Sequence, residues 1–286
     1  MVSVQLPYFD PNLPHPLPTN SEINEAPVLI EHNGYRVVRV GAHYVVKYGS
    51  SLQLDLIEGE NMLFIRQATT IPVPRVYALY TDPIKSINYI VMEFIEGELL
   101  STQWPHLTAD EKSNIVATLR RYFNQLRNLR SPGYYGSIGK RPLQDGIFWT
   151  PKPRPEINGP FESEDAMNTA MTLKYLSQSE TQSTYRADFY RRALANVYRG
   201  HEPKFTHGDF QRKNVIIRRI DASSNNFEVV LVDWQTSGWY PSYWEYSMAT
   251  LAAGWDDDWH QSVSLVLDSF DAEFPWLNLL YQEIWF

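Results

Sequence analysis

Asp209 and Asn214 stand five positions apart in the run Phe205-Thr206-His207-Gly208-Asp209-Phe210-Gln211-Arg212-Lys213-Asn214. A further carboxylate, Asp233, closes the apolar stretch Val230-Leu231-Val232. Residues of these types at this spacing suit phosphoryl transfer. That chemistry needs a group to orient the nucleophile and take its proton. It also needs oxygen ligands for a metal that neutralises the phosphates, and a cation for the α and β phosphates. A loop carboxylate, an amide and a carboxylate at a strand end supply the first two, and hard Mg²⁺ prefers such oxygens. The three residue types alone are a weak signal, because a polar loop that caps helices or binds water also carries them. The weight comes from the order of elements after Asn214: strand, polar turn, strand, then Asp233.

The elements that must position these groups can be read from periodicity. Segments 215–218 and 227–232 read as a strand pair joined by the polar run 221–226. The cation should lie on a strand early in the chain. The valine-rich Tyr44-Val45-Val46-Lys47 offers Lys47, with Val45 and Lys47 on one face by alternation. An ordinary edge-strand lysine is the competing reading. A helix carboxylate should pair with it, and both Glu58 and Glu60 qualify. Glu58 is favoured because it shares a face with Met62 and Ile65. No Gly-x-Gly-x-x-Gly loop is present. His32-Asn33-Gly34 is the positional candidate for cradling phosphate, although Asn-Gly usually makes a simple hairpin turn.

Residues 1–27 are proline-rich and read as an extended arm. Segments 28–31, 35–40 and 43–48 read as strands, 54–68 as a helix, and 75–80 and 87–92 as strands. The short connections imply an antiparallel sheet with one helix on it. After Glu96-Gly97 the pattern turns helical. Thr108 and Glu111 form a capping box before Ile115, Leu119, Tyr122, Leu126 and Leu129. Segments 165–178 and 184–199 also read as helices, and the remainder after Asp233 as mostly helical. The expected division is an arm at 1–27, a small nucleotide-binding β-rich lobe at 28–95 and a larger helical lobe at 96–286.

Composition bounds the function. The chain has 286 residues and no cysteine, which removes disulfides, thiolate metal sites and a cysteine nucleophile. The start lacks a signal-peptide pattern, and no apolar stretch reaches the roughly 20 residues a membrane helix needs. A cytoplasmic protein with no membrane and no obligate protein partner is expected. A net charge of −8 argues against nucleic acid as a partner. The charge is uneven: the last 67 residues hold 11 acids and no Lys or Arg. Seven of the nine tryptophans also lie from Trp234 onward.

The combination His207-Gly208-Asp209 to Asn214, Asp233-Trp234, Gly238-Trp239-Tyr240-Pro241 and Trp244-Glu245-Tyr246 resembles the aminoglycoside phosphotransferase family. The run Thr70-Ile71-Pro72-Val73-Pro74-Arg75-Val76 points to its fungal branch, and the resemblance covers about 28–286. It implies an α+β, protein-kinase-like two-lobe fold that uses ATP and Mg²⁺ on a small-molecule acceptor. Carried over by motif, Asp209 is the catalytic base, Asn214 and Asp233 hold Mg²⁺, and Lys47, paired with Glu58, holds the ATP phosphates. Backbone of Glu93, Phe94 and Ile95, after Met92, would contact adenine. His207 is expected to shape the loop. One departure is Gln235, where the family often has an acid, which could weaken a second metal site.

For the acceptor, Glu245, Asp256, Asp257 and Asp258, with Trp255 and Trp259 beside them, could attract a cationic compound. The bland reading is that the tryptophans fill a core and the acids form a solvated helix start. Two other functions compete. A protein kinase is disfavoured, because no Ala-Pro-Glu follows Asp233 and Gly238 arrives too soon for an activation segment. A non-catalytic nucleotide-binding scaffold draws on Gln235 and the missing glycine loop.

Overall fold

The computed structural model describes residues 4–32, 34–178, 182–221, 225–255 and 257–285. Asn33, of the expected phosphate turn, and Asp256, of the expected acceptor acids, lie outside them. The chain divides into two compact units, 1–105 with 215–235, and 106–214 with 236–286. The first therefore extends past the expected boundary at 95 and recovers a later segment.

In the first unit the expected strands are β2 (Val28–His32), β3 (Tyr35–Val40), β4 (Tyr44–Ser50), β5 (Val76–Asp82) and β6 (Ile87–Glu93). With β1 (Tyr8–Phe9) they form an antiparallel sheet in the order β1-β5-β6-β4-β3-β2. Alternation sorts its two faces. Val38, Tyr44, Val46, Tyr77, Tyr89 and Val91 bury one side together with Ile23. Ile23 comes from α1 (Asn20–Glu25), which starts on a Thr19–Glu22 capping box. The residues expected as an extended arm thus contribute a strand and a helix. Tyr8 and Phe9 pair with Leu79 and Ala78, and Asp10 forms an ion pair with Arg75.

Helix α2 (Ile57–Ala68) packs near β5 at Gly59, where an added Cβ would stand 2.1 Å from the Leu79 side chain. Beyond β6, β7 (Glu98–Leu99) leads into α3 (Leu100–Gln103). β7 pairs with β9 (Val215–Arg219), which pairs with β10 (Phe227–Leu231). This long-range pairing is why 215–235 belongs to the first unit. The segment after β10 carries Asp233.

The second unit is helical: α4 (Ala109–Arg127), α5 (Pro155–Asn158), α6 (Glu164–Gln178), α7 (Thr184–Val197), α8 (Trp244–Ala253), α9 (Trp259–Val266) and α10 (Phe274–Trp285). The Thr108–Glu111 capping box opens α4 as the pattern required. A short ribbon, β8 (Pro203–Thr206) with β11 (Gly238–Pro241), adds to the expected elements. Phe148, Tyr175, Tyr190, Tyr243, Trp244 and Leu280 lie in the unit's largely aromatic core. Trp239, Trp244 and Trp259 are buried and fill a core, while Trp255 stands 69% and Trp285 41% exposed. Among the described residues no helix is long and apolar enough to cross a membrane.

Candidate active site

Lys47 comes from β4, opposite Val37 and Ile90, on the sheet face away from Ile23. It is 4% exposed. Its ammonium donates to Glu58 Oε2 at 2.6 Å and Gln235 Oε1 at 3.2 Å, with Asp233 Oδ1 at 3.5 Å. Glu58, not Glu60, is therefore the carboxylate on Lys47, as its helix face implied. Burial works against the ammonium, but Glu58 and Asp233 outweigh it and hold the Lys47 pKa above the usual lysine range. The group stays a cation at any physiological pH. Asp233 adopts φ +62°, in the left-handed region, with its side chain 41% exposed. Next to it, buried Trp234 donates its indole N–H to the Leu231 carbonyl at 3.0 Å. The Trp234 carbonyl accepts from Asn61 Nδ2 at 2.8 Å.

In the second unit, β8 delivers His207, Gly208 and Asp209 at its end, and a 3₁₀ turn at Arg212–Asn214 follows. Gly208 has φ +85°, and an added Cβ would meet the Thr236 carbonyl at 2.9 Å, so glycine is required there. Asn214 Nδ2 donates to Asp209 Oδ2 at 2.8 Å and to the Asp209 carbonyl at 2.9 Å. This leaves the Asn214 carbonyl oxygen as its metal-type donor. The Gln211 side-chain amide donates to Asp209 Oδ1, and Lys213 Nζ lies 3.4 Å from Oδ2. His207 is buried, and its Nδ1 accepts from the Asp209 backbone N–H at 3.3 Å. Its carbonyl accepts from Ser237 and Thr236 hydroxyls. His207 thus shapes the loop.

Backbone N–H groups of Glu93 and Phe94 donate to the Arg75 and His43 carbonyls, at 2.8 and 2.9 Å. An adenine edge would have to be read by the Ile95 N–H or by carbonyl oxygens of this segment. Arg39 covers the Phe94 ring at 3.7 Å.

The acids expected to meet a cationic acceptor are placed differently. Glu245 is 1% exposed and accepts from the His207 and Gly208 backbone N–H groups at 2.5 and 3.2 Å. Burial raises its pKa to about 7, although those bonds and the Arg127 charge favour ionisation. Its position makes it a support of the loop that carries Asp209. Asp257 pairs with Arg212 at 2.7 Å and Asp258 with Lys112 at 2.8 Å, so their charge is met locally. A carboxylate not singled out in the sequence is Asp145, 3% exposed, which accepts from Tyr281 Oη at 2.6 Å and the Ile147 N–H at 2.9 Å. Burial raises its pKa, and the Asp209 charge adds to the shift. Asp145, Asn61 and Gln211 carry no sequence signal of their own: each is a single polar residue whose partner is set by tertiary contact.

Two subtelomeric hrmA-associated cluster proteins of Aspergillus fumigatus are each 32% identical to this chain over 110 residues. The match covers 38% of this chain and only 21% of those proteins' length. Among solved structures, the ADP-bound aminoglycoside phosphotransferase APH(2'')-Ib superposes with a TM-score of 0.61 at 17% identity, covering 92% of this chain and 86% of that one. The streptomycin–ATP complex of APH(2'')-IIa gives 0.60 at 17%, covering 93% and 86%. The ternary complex of a thermostable APH(4)-Ia mutant with ADP and hygromycin B gives 0.57 at 13%, covering 91% and 87%. These likenesses show the kinase-like fold, with an antiparallel β-rich lobe and a helical lobe. The family model described as the phosphotransferase enzyme family matches residues 28–274, most of the sequence, and the chain belongs to that family.

Proposed function

We propose that this phosphotransferase moves the γ-phosphate of ATP to a hydroxyl of a small, amine-bearing molecule in the cytoplasm. The observation that carries the reading is the buried Lys47–Glu58 ion pair with Asp233 beside it. A charged lysine fixed in this way is the cation a nucleotide's phosphates need.

Asp209 is the base. Its carboxylate takes the proton of the acceptor hydroxyl as that oxygen bonds to the γ-phosphorus, and the bond to the β,γ-bridging oxygen breaks to leave ADP. Gln211 and Asn214 orient the carboxylate. Lys47 holds the α and β phosphates. The Asp233 carboxylate and the Asn214 side-chain carbonyl are each a hard oxygen donor of the kind Mg²⁺ prefers, and the ion keeps few protein ligands when phosphates supply the rest. A bound metal would neutralise phosphate charge.

Support for an amine-bearing acceptor comes from relatives solved with streptomycin and hygromycin B.

The test is a phosphate-transfer screen over amino-alcohols, choline-like compounds, sugars and aminoglycosides, with Asp209→Asn as control. The expected outcome is Mg²⁺-dependent ADP release with one acceptor class, reduced about a thousandfold or more in the variant. Nucleotide binding should be retained. Full turnover in Asp209→Asn would remove the base assignment. Nucleotide binding with no turnover on any acceptor would favour the scaffold reading.

A further inference from the structure

Gln235 stands where an acid could have served as a second metal ligand, yet its side-chain oxygen is on Lys47 Nζ at 3.2 Å. The ammonium is thereby surrounded by three acceptors: Glu58 at 2.6 Å, Gln235, and Asp233 at 3.5 Å. A lysine has three N–H bonds, so this set can use all of them. The Tyr35 ring lies 4.7 Å from the same nitrogen.

The backbone explains how two residues of one short segment reach Lys47. Asp233 turns left-handed at φ +62°. Trp234 enters the core, its indole bonded to the Leu231 carbonyl. Asn61, three residues after Glu58 on α2, holds the Trp234 carbonyl at 2.8 Å. The contacts close a ring: Lys47 to Glu58, along α2 to Asn61, across to Trp234, on to Gln235, and back to Lys47.

The charge of this ring matters for an anionic ligand. One ammonium faces two carboxylates, which leaves a small negative excess that a metal or the exposure of Asp233 can relieve. A third carboxylate at 235 would double that excess next to the group that must meet phosphates. In a buried setting such a charge weighs far more than in water. An amide supplies the same acceptor oxygen without the charge.

We propose that Gln235 is a positioning residue for the nucleotide, acting through Lys47: it fixes the ammonium as a neutral third acceptor and keeps the phosphate site receptive to ATP even without metal. Asn61 holds Gln235 in register by gripping the Trp234 carbonyl. The inference rests on the proposed use of ATP.

Calorimetric titration with ATP in excess EDTA, and again with excess Mg²⁺, tests it on the intact chain and on Gln235→Glu and Gln235→Met. Gln235→Glu should bind metal-free ATP about tenfold or more weakly, and Mg²⁺ should restore most of the loss, because the new carboxylate can hold the metal. Gln235→Met keeps the volume but removes the acceptor. It should lose about three- to tenfold in both conditions. In a Lys47→Met background the Gln235→Met loss should disappear, which a general structural defect would not do. Unchanged metal-free affinity in Gln235→Glu, or equal loss with and without Mg²⁺, overturns the proposal. If Gln235→Glu fails to fold, the Gln235→Met titration and its Lys47→Met cycle decide alone. Wild-type chain that binds no ATP in either condition would instead overturn the nucleotide reading.

Discussion

Glu245 carries opposing demands. Burial pushes its carboxyl up to about 7, yet the ionised form is the better acceptor for the His207 and Gly208 N–H groups that shape the loop around Asp209. Turnover should therefore rise with pH through an apparent midpoint near 7. Glu245→Gln should abolish that limb, lowering turnover about ten- to a hundredfold above pH 7 and little well below it. Stability should move the other way. The folded-state pKa lies above the unfolded value of 4.5, so the favourable contribution is complete below it and is lost as pH rises towards 7. The loss amounts to about 3 kcal/mol. Thermal melts should show wild type losing ground to Glu245→Gln between about pH 5 and about pH 8. A constant difference would mean that Glu245 does not titrate in this range. The sequence showed Glu245 as one acid among several. Its role depends on which backbone it meets after β8 and α8 pack, and nothing local in Trp244-Glu245-Tyr246 encodes that.

Helix α2 carries three consequences on neighbouring residues. Glu58 meets Lys47, Asn61 meets the Trp234 carbonyl, and Gly59 allows the close approach to β5. Gly59→Ala would gain up to about 1 kcal/mol of helix propensity. Overpacking against Leu79, whose side chain would stand 2.1 Å from the new Cβ, should cost about 1–3 kcal/mol and win. The expected result is a lower melting temperature together with weaker nucleotide binding, since the same helix orients Glu58. A more stable variant with unchanged binding would show that the helix has room. Periodicity revealed α2 and the preference for Glu58 over Glu60, because the face shared with Met62 and Ile65 is a local property. The capping box at Thr108 was equally readable and is realised. Thr19 and Glu22 make the same box at the start of α1, inside the segment whose prolines read as an extended arm. The β8–β11 ribbon was hidden because Pro203 and Pro241 border it and its partners lie far apart in sequence.

At the scale of the molecule, the charge asymmetry of the sequence is largely undone by folding. In the second unit, Asp257, Asp258, Asp268 and Glu283 pair with Arg212, Lys112, Arg120 and Arg186. The basic partners lie earlier in the chain, so a count along the sequence separated charges that the fold brings together. The same lesson applies to the ends. A chain trimmed to 28–274, the span of the family match, would lose β1 and α1, which cover an edge and a face of the sheet. It would also lose most of α10, with Leu277, Leu280 and Ile284. We expect it to aggregate or to melt well below the full chain, because an uncovered strand edge invites pairing and each lost core side chain costs about 2–5 kcal/mol. Melting within about 2 °C of the full chain would contradict this packing.

The left-handed backbone at Asp233 bears on how its role is probed in the laboratory. Alanine is the habitual knock-out, but here it makes two changes at once. It deletes a carboxylate and puts a residue poorly suited to positive φ where aspartate is comparatively comfortable. A dead alanine variant could then report a collapsed turn, with Trp234 and Gln235 displaced, and say little about metal ligation. Asparagine keeps the tolerance for that backbone and removes only the charge. It is the substitution whose kinetics can be interpreted.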